Sequence, residues 1–393
     1  MSNKNIVIGV TGGIAVYKTL DVISRLKKKD FNIDVIMTDS ACEFVNPLSF
    51  QSLSQNMVIT DMFEEPKVWE IQHISLAKKA DVMLICPATA NIIGKVANGI
   101  SDDMLSTTIM ATKAKVIFAP AMNTNMWENP IVQNNIRKLK EYGYEFIEPA
   151  SGRLACGDVG GGKLADTELI SDVVESKLYD KKDLVGKKVV VTAGPTIAAI
   201  DPVRFITNRS TGKMGYAIAE EARDRGAEVT LVSGPTSIKK PFGIEVINVN
   251  TNEEMKNVVL GKFDTCDYMI KSAAVADYKP CKYSESKIKK QEGNLFIELE
   301  RDNDILLELG KRKVNQVLVG FAAESDDLIQ NAESKLNKKN LDYIVANNIM
   351  NKNIGFASDN NSVVVLGKNN FKKEIDICSK KEVARHIFDI LTK

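Results

Sequence analysis

Short apolar runs alternate with amphipathic, helix-period segments along most of this chain, and that alternation restricts its folds more than any other feature. NIVIGV (5–10), IDVIMT (33–38), DVMLIC (81–86), KVIFAP (115–120) and EFI (145–147) have strand length, with segments such as YKTLDVISRLKKK between them. Strands separated by helices return by crossovers, so the prediction is a parallel sheet with helices on both faces. After the polar stretch DKKD at 180–183, which reads as a hinge, the pattern restarts. KKVVVTAG (187–194), AEVTLVSG (227–234), YMIKSAA (268–274), QVLVGFAA (316–323), DYIVAN (342–347) and SVVVLG (362–367) read as strands, with a long loop after the first and a closing helix SKKEVARHIFDILTK. The fold class expected is α/β: two doubly wound domains, residues 1–180 and 186–393, each large enough for its own core.

Lys and Arg number 52 against 51 acids, so no global field draws the chain to nucleic acid or to an anionic membrane. MSNKNIVIGV lacks a basic region followed by a cleavable site, and no apolar run reaches 18 residues, so a cytoplasmic protein without membrane spans is expected. The six cysteines (Cys42, Cys86, Cys156, Cys266, Cys281, Cys378) form no C-x-x-C pair, which argues against a zinc site or a disulfide framework. No metal ligands are assigned.

In doubly wound sheets ligands gather beyond the carboxyl ends of the strands. The loops there are TGGIAVYK, TDSACEF, PATANIIG and PAMNTNMW in the first half, and AGPT, SGPT, AAVADYKP and FAAES in the second. VTGGIAVYK lacks the third glycine of a dinucleotide fingerprint, and STGKMG places Met214 where a P-loop needs Ser or Thr. The turns at Gly12–Gly13 and Thr211–Gly212 remain open to two readings, phosphate cradles or tight strand-to-helix corners.

GGIAVYK (12–18), PATAN (87–91), DDMLST (102–107), PAMNTNMW (120–127) and LACGD (154–158) resemble the homo-oligomeric flavin-containing cysteine decarboxylases. VVVTAGPT, IDPVRFITNRSTGKMG, SAAVADYKP, KIKKQ and VGFAAE resemble phosphopantothenate-cysteine ligases. In this order, over nearly the whole chain, the two resemble the bifunctional coenzyme A biosynthesis family, phosphopantothenoylcysteine decarboxylase fused to phosphopantothenate-cysteine ligase. The resemblance implies a flavodoxin-like flavoprotein domain holding FMN and a Rossmann-like ligase domain using CTP and Mg2+. The partners it implies are CTP, 4'-phosphopantothenate and L-cysteine. It also implies flavin-domain trimers with sites between subunits, ligase-domain dimers, and a dodecamer.

For the decarboxylase half, loss of CO2 from a cysteine carboxylate requires an electron sink, which a flavin supplies by accepting hydride from the thiol-bearing carbon. The resemblance implies Gly12, Gly13, Ile14, Thr38, Ser40, Thr89, Ser106 and Thr107 at FMN. It also implies Asn123 at the substrate carboxylate. A neutral amide suits that position, because a cation would bind the ground-state carboxylate most tightly just before its charge disappears. Met122, Met126 and Trp127 would form an apolar wall; a turn capped by Asn beside core residues is the other reading. His73 shares a helical face with Leu76, Ala77 and Ala80, as a packed histidine would, and the resemblance makes it the base or orienting group at the thiol. Cys156 lies in a glycine-rich stretch without apolar periodicity, read as a mobile flap, and the resemblance makes it the acid protonating the enethiolate.

For the ligase half, the resemblance implies an acyl-cytidylate. Lys287 would stabilise its formation, with Lys289 beside it, although KIKKQ alone reads as a solvated charge run. Asn208 would polarise the acyl carbonyl, or cap a loop. Gly194, Arg204, Ser210, Gly212, Lys213, Ala273, Asp277 and Phe321 are placed at the nucleotide or substrate. Ile197, Ala198 and Ala199 stand where the family commonly carries Arg, Glu and Pro, so charged contacts expected from that loop are absent. The alternative function is a flavin-binding regulatory protein or peptidyl-cysteine decarboxylase with a degenerate second domain.

Overall fold

The computed structural model describes residues 4–63, 71–290, 294–324, 327–348 and 358–393. The chain divides into two compact units, Met1–Tyr179 and Asp180–Lys393.

In the first unit the strands are β1 (Asn5–Val10), β2 (Asn32–Met37), β3 (Val58–Ile59), β4 (Val82–Ala88), β5 (Lys115–Pro120), β6 (Glu145–Phe146), β7 (Ala150–Arg153) and β8 (Val159–Lys163). The helices are α1 (Val16–Lys27), α2 (Asp39–Cys42), α3 (Pro47–Ser54), α4 (Gln72–Lys79), α5 (Ala90–Ala97), α6 (Met104–Ala111), α7 (Thr124–Glu128), α8 (Pro130–Glu141) and α9 (Thr167–Lys177). The main sheet runs β3-β2-β1-β4-β5-β6, all parallel. Setting aside the two-residue edge strand β3, this is the flavodoxin order, and its topological switch lies between β1 and β4. Every residue of β4 is buried, as both-face coverage by helices requires. Val16, Thr19, Val22, Ile23 and Leu26 are the buried stripe of α1, at helical spacing.

The glycine-rich stretch read as a flap is the antiparallel pair β7–β8, and the glycines of β8 have a packing cause. A Cβ at Gly160 would stand 2.6 Å from Thr124 Cγ2, and one at Gly162 would stand 2.5 Å from the Met122 carbonyl oxygen. The bare backbone lets β8 lie against the turn that opens α7, where Met122 N donates to Gly162 O at 2.9 Å.

In the second unit the strands are β9 (Lys188–Ala193), β10 (Ile197–Ala199), β11 (Phe205–Thr207), β12 (Glu228–Ser233), β13 (Glu245–Asn248), β14 (Tyr268–Lys271), β15 (Tyr278–Pro280), β16 (Leu299–Arg301), β17 (Val317–Glu324), β18 (Tyr343–Asn348), β19 (Asn360–Gly367) and β20 (Phe371–Ser379). The helices are α10 (Lys213–Asp224), α11 (Asn252–Phe263), α12 (Ile305–Arg312), α13 (Leu328–Lys338) and α14 (Lys380–Leu391). The large sheet has the order β13-β12-β9-β14-β17-β18-β19-β20, parallel as far as β18, with the switch between β9 and β14. β18–β19 and β19–β20 are antiparallel, and Asn369 and Asn370 at φ 58° and 57° close the tight β19–β20 hairpin. The long loop after β9 carries a small hairpin, β10–β11.

The polar 180–183 segment is bonded into the second unit. Asp183 accepts from Arg225 at 3.1 Å and from Thr392 at 2.8 Å, and Lys181 pairs with Asp389 at 2.6 Å.

Candidate functional site

A cavity of about 1350 Å³ opens at the carboxyl ends of β1, β2, β4 and β5, over the first unit's switch point. Three strand-to-helix turns converge on it and bring in Gly12, Gly13, Ile14, Thr38, Ser40 and Thr89. Thr11 ties two of these turns together, since its Oγ1 donates to Pro87 O at 2.7 Å and accepts from Thr89 N at 3.1 Å. Gly12 is required by close packing, because a Cβ there would stand 2.4 Å from Ser40 Cβ. Lys95 reaches Asp102 at 2.7 Å and Asp103 at 2.8 Å on the rim. Burial alone would raise the Asp103 carboxyl; the Lys95 ammonium and the Ser106 N–H outweigh it and hold the group below the usual carboxylate range.

The turn after β5 completes this cavity. Met122, Asn123 and Met126 line it, and Cys156 enters from the β7–β8 turn. Asn123 caps α7: its Oδ1 accepts from Asn125 N at 2.8 Å. Its Nδ2 is thereby turned outward, where it donates to Asp158 Oδ2 at 2.8 Å and lies 3.4 Å from Cys156 Sγ. Cys156 Sγ is itself 3.3 Å from the same Asp158 oxygen. Amide, thiol and carboxylate form one exposed cluster at the cavity mouth. Asp158 has no assigned role in the sequence reading, although it closes the quoted motif LACGD; the signal is its two-residue spacing from Cys156.

Four expectations for this half differ from the structure. Ser106 is fully buried in a capping box with Asp103, its N donating to Asp103 Oδ1 at 2.7 Å, so it holds α6 rather than lining the cavity. Thr107 donates to Ser101 O at 3.3 Å and also stays off it. Trp127 packs against the helical core and β8 instead of walling the cavity. His73, half-buried on α4, is not among the residues lining it.

The second unit has a cavity of about 380 Å³ beyond β9, β14 and β17, lined by Asn208, Ser210, Gly212, Lys213, Ala273, Asp277 and Phe321. Gly212, the cap before α10, sits at φ 82°, and the first residues of that helix, Lys213, Met214 and Gly215, line the cavity. Asn208 Nδ2 donates to Ala274 O at 3.1 Å and Val275 O at 3.0 Å, so its amide pins the cavity wall. Gly194, expected at the ligand, packs behind Gly212 and accepts from Ala274 N at 2.9 Å. Arg204 is also displaced from expectation: its guanidinium is 2.7 Å from Asp201 and donates to Ile288 O at 2.6 Å. Burial would raise the Asp201 carboxyl, but N–H groups of Val203, Arg204 and Ile288 and the guanidinium hold it well below the carboxylate range. That knot ties the β10–β11 hairpin to the segment carrying Lys287 and Lys289, both exposed and off the cavity. Within the hairpin Ala198 is buried, Ile197 half-buried and Ala199 exposed, and none brings a charge.

Residues 1–179 match the flavoprotein family, and residues 184–393 match the C-terminal domain of the DNA/pantothenate metabolism flavoproteins. Over 100% of its length the chain is 50% identical to the coenzyme A biosynthesis bifunctional protein of Bacillus subtilis, covering 96% of that protein. It is 43% identical to the Borreliella burgdorferi protein of the same description, over 99% of both chains. Among solved structures, the C-terminal domain of such a bifunctional protein is 42% identical with a TM-score of 0.47, covering 54% of this chain and 97% of that one.

Proposed function

The chain belongs to the family of bifunctional coenzyme A biosynthesis proteins, and from that premise we propose that its first cavity decarboxylates phosphopantothenoylcysteine on FMN while its second ligates 4'-phosphopantothenate to L-cysteine with CTP. It is a bifunctional enzyme with a flavoprotein decarboxylase half and a ligase half. The observation that carries the decarboxylase reading is that one cavity joins the Gly12–Gly13 turn to Met122, Asn123 and Cys156.

The residues present fit FMN. The hydroxyl and N–H donors of the three turns suit phosphate and ribityl oxygens, and Met62, Met122 and Met126 offer apolar surface to a ring. When bound, FMN supplies the reversible hydride acceptance that side chains lack. Asn123 then orients the substrate carboxylate through a neutral amide whose direction is set by Asn125 N. Asp158 orients both Asn123 and the thiol of Cys156, which delivers the proton to the decarboxylated product.

Cys156→Ser is the test. Product analysis by mass spectrometry is expected to show CO2 still released but saturated aminothiol formed at least about 100-fold more slowly. Saturated product at the wild-type rate would overturn the role. Asp158→Asn is expected to slow turnover about tenfold, because Asn123 and the thiol lose a shared anionic acceptor. An unchanged rate would make that carboxylate a bystander.

For the ligase half, the α10 N-terminus and Lys213 face the cavity where a triphosphate would lie, and Asn208 positions its wall. Among the described residues no group of three His, Cys, Asp or Glu side chains could hold a metal ion. Asp277, Asp302 and Asp304 border this cavity, and an Mg2+ ion carried in on the triphosphate would need only one or two such carboxylates. His73, Lys287 and Lys289 lie off their own units' cavities, and in this reading they act at sites completed by another subunit. The assembly proposed is flavin-unit trimers and ligase-unit dimers, reaching a dodecamer. No helix of the described residues is long and apolar enough to cross a membrane, and a cytoplasmic site of action is part of this proposal.

A further inference from the structure

Lys271 is the last residue of β14, at the edge of the crevice where the second sheet reverses direction. In register it stands between Thr192 of β9 and Gly320 of β17, which bring no charge to it. The residue is only 9% exposed, yet it lines the second cavity, so the outer part of a long cationic side chain ends at the ligand space. Among the described residues its ammonium makes no hydrogen bond or ion pair.

The acids that face it do not neutralise it. Asp304, the cap of α12, is 2.8 Å from Lys339, the residue after α13. Lys339 adds its own repulsion, and Asp277 on the following loop is exposed and exerts a weaker attraction than Asp304. Burial therefore dominates and pulls the Lys271 ammonium down to about 8. A buried cation without a counterion is costly, and the usual remedies are an anionic partner or loss of the proton. The ligand space it borders is also lined by Lys335, by the first residues of α10, and by Lys213, whose ammonium pairs with the exposed Asp359 at 2.6 Å.

We propose that Lys271 is the counter-charge for an oxyanion, phosphate or carboxylate, of a substrate held over the β9–β14 switch point, and that this substrate binds with uptake of a proton. The inference rests on reading the second cavity as the ligation site. With the ammonium drawn down to about 8, part of the population is neutral in the free protein at pH 8; an oxyanion beside Nζ restores the charge, so binding takes up a fraction of a proton. Near pH 6 the side chain is already charged and the uptake vanishes.

Calorimetric titrations of the full chain with CTP plus Mg2+, and separately with 4'-phosphopantothenate, in buffers of different ionisation enthalpy at pH 6 and 8, test this. The expected result is uptake at pH 8 with one of the two ligands, which identifies the source of the oxyanion. In Lys271→Met the uptake disappears and that ligand binds at least about tenfold more weakly, whereas the other stays within about threefold. Lys271→Arg, permanently charged, is expected to keep affinity and lose the uptake, and it serves if the methionine variant does not fold. Equal affinity and equal proton uptake in wild type and variants would overturn this inference alone. A wild-type chain that bound neither ligand would overturn the ligation reading and this inference with it.

Discussion

Replacing Arg225 by methionine is expected to cost the second unit about 3–5 kcal/mol of stability. The guanidinium is fully buried where α10 ends, and its five donors are almost all spent on named partners. Nε donates to Glu221 at 2.7 Å, Nη1 to Asp183 at 3.1 Å, and Nη2 to Asp389 at 2.7 Å and to Arg385 O at 3.0 Å. Burial would lower its affinity for the proton, but the three carboxylates outweigh that and raise it. Removing the cation strands Glu221, whose side chain is 7% exposed, beside two further acids. Urea unfolding followed by circular dichroism measures the loss. Pairing Arg225→Met with Glu221→Leu is expected to restore much of it, since the penalty comes from the uncompensated carboxylate. A loss below about 1 kcal/mol for the single variant would mean that the carboxylates rehydrate freely.

Asn123→Asp is expected to lower decarboxylase turnover at least about 100-fold while leaving the fold intact. Aspartate caps a helix as well as asparagine does, so the bond to Asn125 N survives. The opposite end of the side chain changes from donor to anion. It would then face Asp158, 2.8 Å from the present Nδ2, and the incoming substrate carboxylate as well. Like charges that close disfavour both binding and the geometry from which CO2 leaves. Turnover of preformed phosphopantothenoylcysteine, with flavin absorbance as the control for cofactor retention, gives the answer. Activity within tenfold of wild type would show that Asn123 is only a cap.

Periodicity was enough to locate the strands that build both sheets: KVIFAP at 115–120 is β5 residue for residue, and SVVVLG falls within β19. Small or polar edge elements were not legible. FKKEIDICS became β20 despite its lysines because the Asn369–Asn370 turn folds it against β19. The loops at strand ends were legible as the walls of a cavity because ligands of doubly wound sheets gather beyond the carboxyl ends of the strands, and Gly12, Thr89, Asn123 and Cys156 do meet at one cavity.

Which polar partner each side chain finds was decided only in three dimensions. Ser106 and Arg204 look like ligand donors in the chain, yet one completes the capping box of Asp103 on α6 and the other is knotted to Asp201. Asp158 meets Asn123 because three glycines let β8 lie on the α7 turn. Lys271 stands between Thr192 and Gly320 while Asp304 pairs with Lys339. The physical reason is that the sequence by itself determines which faces are apolar, and hence which elements form and how they layer. Hydrogen bonds and counter-charges act over a few ångströms, so their partners exist only once the crossovers have brought distant segments together.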